Sequence, residues 1–197
     1  MVKHNLRTFA FLIIGVAFAT WILLVWIHHG FQLGTMEYSD IKQMPTAISV
    51  NAFIWFVFVS YLWKWKVFSG WLIQVPDLSG EWEGVLKSNW RNAEGELLEP
   101  IPTTATITQS FFHINVKVRT GEMESNSSAA SLDIDADRGY KRLWYSYISV
   151  PNADVRHRSE IHYGTTVLSI KNVDNSLLEG EYWTSRQSTG SIILRRA

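Results

Sequence analysis

The spacing of hydrophobic positions divides this chain in two. Residues 8–27 (TFAFLIIGVAFATWILLVWI) and 45–63 (PTAISVNAFIWFVFVSYLW) are apolar all round, with no charged side chain in either run. After residue 78 no long apolar run recurs, and hydrophobic residues alternate with polar ones at period two. A helix rising about 1.5 Å per residue needs about 20 residues to cross the roughly 30 Å hydrocarbon core of a bilayer, so each run predicts a spanning helix. Trp21 and Trp26 near one boundary, and Trp55, Tyr61, Trp63 and Trp65 near the other, suit interfacial anchors. A cleaved signal peptide would carry a shorter apolar core ending at a small-residue cleavage site, whereas His28-His29-Gly30 follows a full-length run. The pattern therefore predicts a two-helix transmembrane hairpin over residues 1–68, in preference to a signal peptide or a buried soluble hairpin. A linker over 69–77 and a membrane-anchored all-β domain over 78–197 follow.

Period-two runs place eight strands at 80–90, 102–111, 113–120, 126–135, 140–150, 159–171, 178–186 and 190–196. Ala105, Ile107 and Phe111 oppose Thr104, Thr106 and Thr108, and Ile114, Val116 and Val118 oppose Asn115, Lys117 and Arg119, so each strand buries one face. The runs are separated by turn signals: Asn92-Ala93-Glu94-Gly95, Arg119-Thr120-Gly121, Asp137-Arg138-Gly139, Asn172-Val173-Asp174-Asn175 and Gln187-Ser188-Thr189-Gly190. Short links favour up-and-down pairing, and about 120 residues in eight strands suits a small closed antiparallel barrel, with a β-sandwich as the alternative. Ile161 and Tyr163 have one parity and Leu168 and Ile170 the other, which predicts a bulge near Gly164. The segment KWKVFSGWLIQVPD is too short and aromatic for a flexible tether, and Trp71, Leu72 and Ile73 suit either the bilayer interface or the barrel floor.

Basic residues near the spans orient the hairpin. Lys3 and Arg7 precede the first span and Lys64 and Lys66 follow the second, while the connecting loop offers Lys42 against Glu37 and Asp40. Because Lys and Arg resist translocation, both termini and the β-domain are expected in the cytoplasm. The chain has no Cys, which excludes a disulfide framework, and a formal net charge of zero, which leaves no global field to gather DNA or long RNA.

The two spans, the barrel opening Leu78-Ser79-Gly80-Glu81-Trp82-Glu83-Gly84 and the closing Gly180-Glu181-Tyr182 and Thr189-Gly190-Ser191-Ile192 resemble one family. This order of parts is similar to that of the CD-NTase-associated membrane effectors of bacterial CBASS anti-phage defence. The resemblance spans the whole chain, although its motifs are structural; a Gly-x-Trp opening also serves lipocalin-type barrels, where the Trp plugs the closed end. It implies a cyclic dinucleotide receptor in the bacterial inner membrane, functionally linked to a CD-NTase. Binding would drive homo-oligomerisation and disrupt the lipid bilayer to kill the cell.

Catalytic signatures are missing from the sequence: there is no Gly-x-Ser-x-Gly elbow, no His-Glu-x-x-His helix and no phosphate loop. Of the six His, His4, His28 and His29 border the membrane, leaving His113, His157 and His162 scattered, so neither an enzyme nor a metal or other cofactor is expected. Glu81, Glu83, Glu179 and Glu181 alternate along terminal strands and read as solubilising charge rather than a glycosidase pair. A binding barrel remains, for a cyclic dinucleotide or, as the alternative, a fatty acid or other lipid. A lipid cup should be almost wholly apolar, whereas a nucleotide needs aromatic faces and paired donors. Tyr182, Thr184 and Arg186 share parity with Gly180, and Tyr145 and Tyr147 share a face with Lys141 and Leu143, although Trp144, Ile148 and Val150 make the other face equally apolar. Arg156 and Arg158 flank His157 in a polar loop able to close over an anion. These residues are the expected lining, with Trp82 as a structural plug. Gly15 and Ala19 form a small-xxx-small pair for helix association, and Asn51 offers a hydrogen bond either between chains or within one hairpin.

Overall fold

The computed structural model describes residues 6–30, 38–68, 72, 73, 75–91, 95–135 and 138–197. Lys3, His4, Glu37, Trp71, Asn92, Ala93, Glu94 and Asp137, used in the readings above, lie outside the described residues. The chain divides into two compact units, one over His4–Gln74 and one over Val75–Ala197.

The first unit is helical. α1 spans Leu6–His28, a one-turn α2 spans Tyr38–Ile41, and α3 spans Met44–Ser60 with a Pro in its first turn, where the missing N–H costs nothing. Two stretches, Ala10–His28 and Tyr38–Ser60, are long and apolar enough to cross a membrane. Phe11, Ile14, Phe18, Ile48, Phe53 and Phe56 stand exposed, a surface suited to lipid rather than water. The second span stops being α-helical at Ser60, and Trp63 falls in a 3₁₀ turn over Leu62–Lys64. Within this hairpin Asn51 Nδ2 donates to Thr20 Oγ1 at 3.5 Å, and Thr20 in turn donates to the Val16 carbonyl at 2.7 Å. Asp40, fully buried, accepts from His29 Nε2 at 2.9 Å.

The second unit is a closed eight-stranded antiparallel barrel in sequential order. Its strands are β1 (Gly80–Ser88), β2 (Ile101–Gln109), β3 (Ile114–Arg119), β4 (Met123–Asp135), β5 (Tyr140–Pro151), β6 (His162–Lys171), β7 (Leu177–Thr184) and β8 (Thr189–Arg196). β1 pairs with β8 from Trp82↔Arg196 to Ser88↔Gly190, so the sheet closes and the sandwich alternative does not apply. Each predicted strand appears, with ends shifted by a few residues.

The predicted bulge is misplaced. β6 runs through Gly164 in unbroken register with both neighbours, opposite Tyr147 and Thr184. The register shift lies in β4, between Ser127 and Ala129. Ile161 and Tyr163 are simply exposed on the outside, while His162, Thr166, Leu168 and Ile170 keep one buried parity.

The end of the barrel at which the chain enters is filled. Trp82, Leu78, Leu143, Leu168, Leu178 and Leu194 are all fully buried there, and Trp82 Nε1 donates to the Leu78 carbonyl at 3.0 Å. The Arg196 guanidinium lies 5.1 Å from the Trp82 ring centroid and donates to the Asp77 carbonyl at 2.7 Å. Gln109 straps the entering segment, accepting from the Leu78 N–H at 2.8 Å and donating to the Pro76 carbonyl at 3.0 Å.

Candidate ligand-binding cavity

The opposite end is hollow. A cavity of about 570 Å³ opens between the last residues of β1, β3, β5 and β7 and the first of β2, β4, β6 and β8, within the range of small-molecule sites. Inward positions of β5 deliver Tyr145, Tyr147 and Ser149, β6 delivers His162 and Thr166, and β7 delivers Tyr182 and Thr184. Trp144, Ile148 and Val150 take the outer face of β5.

Two of the tyrosines owe their placement to glycines. Tyr147 pairs across the sheet with Gly164, and Tyr182 with Gly190. A Cβ on Gly164 would lie 2.3 Å from the Tyr147 ring, and one on Gly190 would lie 2.7 Å from the Tyr182 ring. Each ring thus occupies space that any other residue on the neighbouring strand would fill, an aromatic-over-glycine arrangement that stabilises the pair. Burial pushes the Tyr145 phenol up to about 12, opposed by a hydrogen bond with Thr166. It raises Tyr147 further, with the neighbouring Tyr145 and Tyr182 adding to the effect, and it raises Tyr182 against a hydrogen bond with Ser88. All three therefore stay neutral near pH 7 and keep an O–H to donate.

The cations sit at the mouth. Arg186 Nη1 donates to Ser159 Oγ at 3.0 Å, and its guanidinium lies 5.5 Å from the ring centroid of Trp90. Arg158 Nη2 donates to Glu122 Oε1 at 2.5 Å. Both Arg side chains line the cavity. Arg156 does not: its Nη2 is spent on the Pro151 carbonyl at 3.3 Å, bracing the loop that carries Arg158. Of the expected lining, then, Tyr145, Tyr147, Arg158, Tyr182, Thr184 and Arg186 come together and Arg156 stands apart. Gly15 and Ala19 line a shallow apolar groove on α1 with Phe11, Leu12 and Val16. Asn51 is buried, joined to α1 of the same chain, with its Oδ1 lacking a hydrogen-bond partner among the described residues.

Sequence reasoning missed Trp90, Glu122, His162 and Thr166. Trp90 reads as the end of the first strand, but β1 stops at Ser88 and the ring stands half-exposed at the mouth. Its signal was a large aromatic abutting a polar turn. His162 Nδ1 lies 3.0 Å from the Glu160 carbonyl, which only accepts, so Nδ1 carries a proton. No group of metal-ligating side chains occurs among the described residues.

Comparison with known proteins agrees with this architecture. The family model for the Cap15 cyclic dinucleotide receptor domain matches residues 73–196, which is the whole barrel. A curated relative, CD-NTase-associated protein 15 of Staphylococcus schleiferi, is 31% identical over 149 residues, covering 76% of this chain and 76% of its own length. The plugged, eight-stranded barrel with its hollow mouth and the extent of these matches lead to one assignment: the chain belongs to the Cap15 family of cyclic dinucleotide receptors.

Proposed function

We propose that this chain is a membrane-anchored CBASS effector whose barrel binds a cyclic dinucleotide made by a partner CD-NTase, and whose hairpin then assembles and disrupts the inner membrane. The observation that carries the reading is the chemistry of the cavity. Three neutral phenols and two guanidiniums converge in it, interleaved with Leu86, Leu98, Ile101 and Ile192. Aromatic faces stack bases at about 1 to 3 kcal/mol each, and guanidiniums grip phosphates with paired N–H donors. The alkyl chain of a fatty acid would offer no acceptor to the remaining N–H groups of the two guanidiniums. The role is that of a receptor: it needs recognition and no bond-making.

The hairpin supplies the output. Both termini lie in the cytoplasm, where the second messenger is made, because Lys64 and Lys66 follow the second span. The groove at Gly15 and Ala19 admits a second helix closely, and two spans alone enclose no pore, so disruption requires several copies.

Calorimetric titration of the full-length protein in detergent with cyclic di-GMP, cyclic di-AMP, cyclic GMP–AMP and a fatty-acid series tests the reading. Saturable binding of a cyclic dinucleotide is expected. Binding of a fatty acid and of no nucleotide would replace the reading with a lipid-binding barrel.

A further inference from the structure

The two arginines at the cavity mouth are not equivalent. Arg186 has no carboxylate partner among the described residues; it rests on a hydroxyl and an indole face. Arg158 is already engaged by a carboxylate, that of Glu122.

This pair joins two loops that backbone hydrogen bonds already tie together. Glu122 sits in the turn between β3 and β4, where the Thr120 N–H donates to the Met123 carbonyl at 2.9 Å. Asn152, the first residue of the loop between β5 and β6, ties that turn to its own loop: its N–H donates to the Glu122 carbonyl at 2.8 Å and its Nδ2 to the Gly121 carbonyl at 3.1 Å. Arg158 sits in the loop between β5 and β6, where its N–H donates to the Val155 carbonyl at 3.0 Å. Arg156 braces the same loop through Pro151. The backbone thus brings the two side chains together at little further entropic cost. Yet both are about half exposed, 56% for Arg158 and 49% for Glu122, and ion pairs in such surroundings are weak and screened. The contact is formed in advance and easily exchanged.

We propose that Glu122 is a resident anion on Arg158, so that, among the described residues, the cavity offers Arg186 as an uncompensated cation and Arg158 as a compensated one. A ligand bearing a single phosphate can settle at Arg186 and leave the pair intact. A ligand bearing two must displace the Glu122 carboxylate to gain the second guanidinium. Glu122 therefore weakens every ligand that uses Arg158 and is silent towards those that do not, which makes it a residue that sets threshold and selectivity. This inference deepens the cyclic dinucleotide reading and rests on it.

Calorimetry on the full-length protein in detergent, comparing wild type, Glu122→Gln, Arg158→Gln and the double variant, provides the test. The probes are the same three cyclic dinucleotides, with 3′,5′-cyclic AMP and 3′,5′-cyclic GMP as single-phosphate ligands. Glu122→Gln is expected to tighten the cyclic dinucleotide by about three- to tenfold, the range for an exposed charge pair and its loss of repulsion. Arg158→Gln should weaken it by about tenfold or more, and Glu122→Gln should then have no effect in the Arg158→Gln background. Cyclic mononucleotides should change by less than about twofold. The role of Glu122 is overturned by unchanged or weaker binding in Glu122→Gln, by the same gain without Arg158, or by an equal gain for the mononucleotides. Those outcomes leave the receptor reading intact if wild type binds a cyclic dinucleotide. Absence of binding to wild type and Glu122→Gln alike removes the receptor reading and this inference together.

Discussion

At Trp82 the barrel places its largest fully buried side chain in a floor rather than in the ligand site. The indole is fully buried, donates to Leu78 and is covered by the Arg196 guanidinium, so its loss leaves a large cavity beneath a stranded cation. Trp82→Ala should therefore cost about 3 to 5 kcal/mol, read as a shifted midpoint in urea unfolding; a variant as stable as its parent would contradict the plug. Tyr145 carries a second residue-scale prediction. Its phenol is raised from the ordinary value of 10.0 to about 12 by burial, so the unfolded chain ionises first as pH rises. The stabilisation is complete below about pH 10 and is lost progressively towards pH 12, amounting to about 2 to 3 kcal/mol for such a shift. Unfolding measured at stepwise pH, with phenolate absorbance at 295 nm, should show this alkaline loss in wild type and a smaller one in Tyr145→Phe. On the acid side, Lys117 first and Arg119 second hold the Glu124 carboxyl down near 2, but that group is partly exposed and belongs to the outer surface.

Strand pairing decides what those residues meet. β5 and β6 set Tyr147 opposite Gly164, and the ring rests where a side chain would otherwise stand. The atoms in conflict with an added Cβ are the far end of the tyrosine, which can swing, so Gly164→Ala should fold and push the ring into the cavity. A loss of ligand affinity of about tenfold or more by calorimetry, with the unfolding midpoint shifted by little, is the expected outcome; unaltered affinity would mean that Tyr147 stands clear of the ligand. β4 plays a different part. Its register shift between Ser127 and Ala129 exchanges which parity faces inward, so that Ser125 lies opposite Ser149 and Leu132 opposite Leu143 on the same inner side.

The whole molecule divides into two compact units, and under the proposed function the barrel would recognise the ligand and the hairpin would deliver the output. Reporter fusions at Ala197 and near Asp40 test the proposed topology, and periplasmic activity from the C-terminal fusion would overturn both the orientation and the second-messenger role. Assembly through the hairpin gives a further expectation. Gly15→Leu fills the groove on α1 where a second helix would approach, and should reduce ligand-triggered leakage from vesicles severalfold while leaving ligand affinity unchanged. Asn51→Leu should act more weakly on contacts between copies, because Asn51 is already turned towards Thr20 of its own chain. Crosslinking that finds monomers throughout, with leakage persisting, would sink the assembly mechanism.

The amino-acid sequence by itself determined the parts: two apolar runs of spanning length, eight alternating strands and a Gly-x-Trp opening, all of which depend on neighbours one to twenty residues apart. It also carried Tyr145, Tyr147, Tyr182 and Arg186 as inward side chains once a parity was chosen. The choice itself came from the tertiary structure, since both faces of β5 are apolar and only closure of the barrel selects the one bearing Leu143, Tyr145 and Tyr147. The phase slip in β4 was hidden because Ser125, Ser127 and Ala130 are too small and polar to show a hydrophobic period. Tyr147 over Gly164, Arg186 over Trp90, and Arg158 on Glu122, which stands 36 positions away, are cross-strand and cross-loop meetings. Register and loop closure create such contacts, and hydropathy along the chain has no term that encodes them.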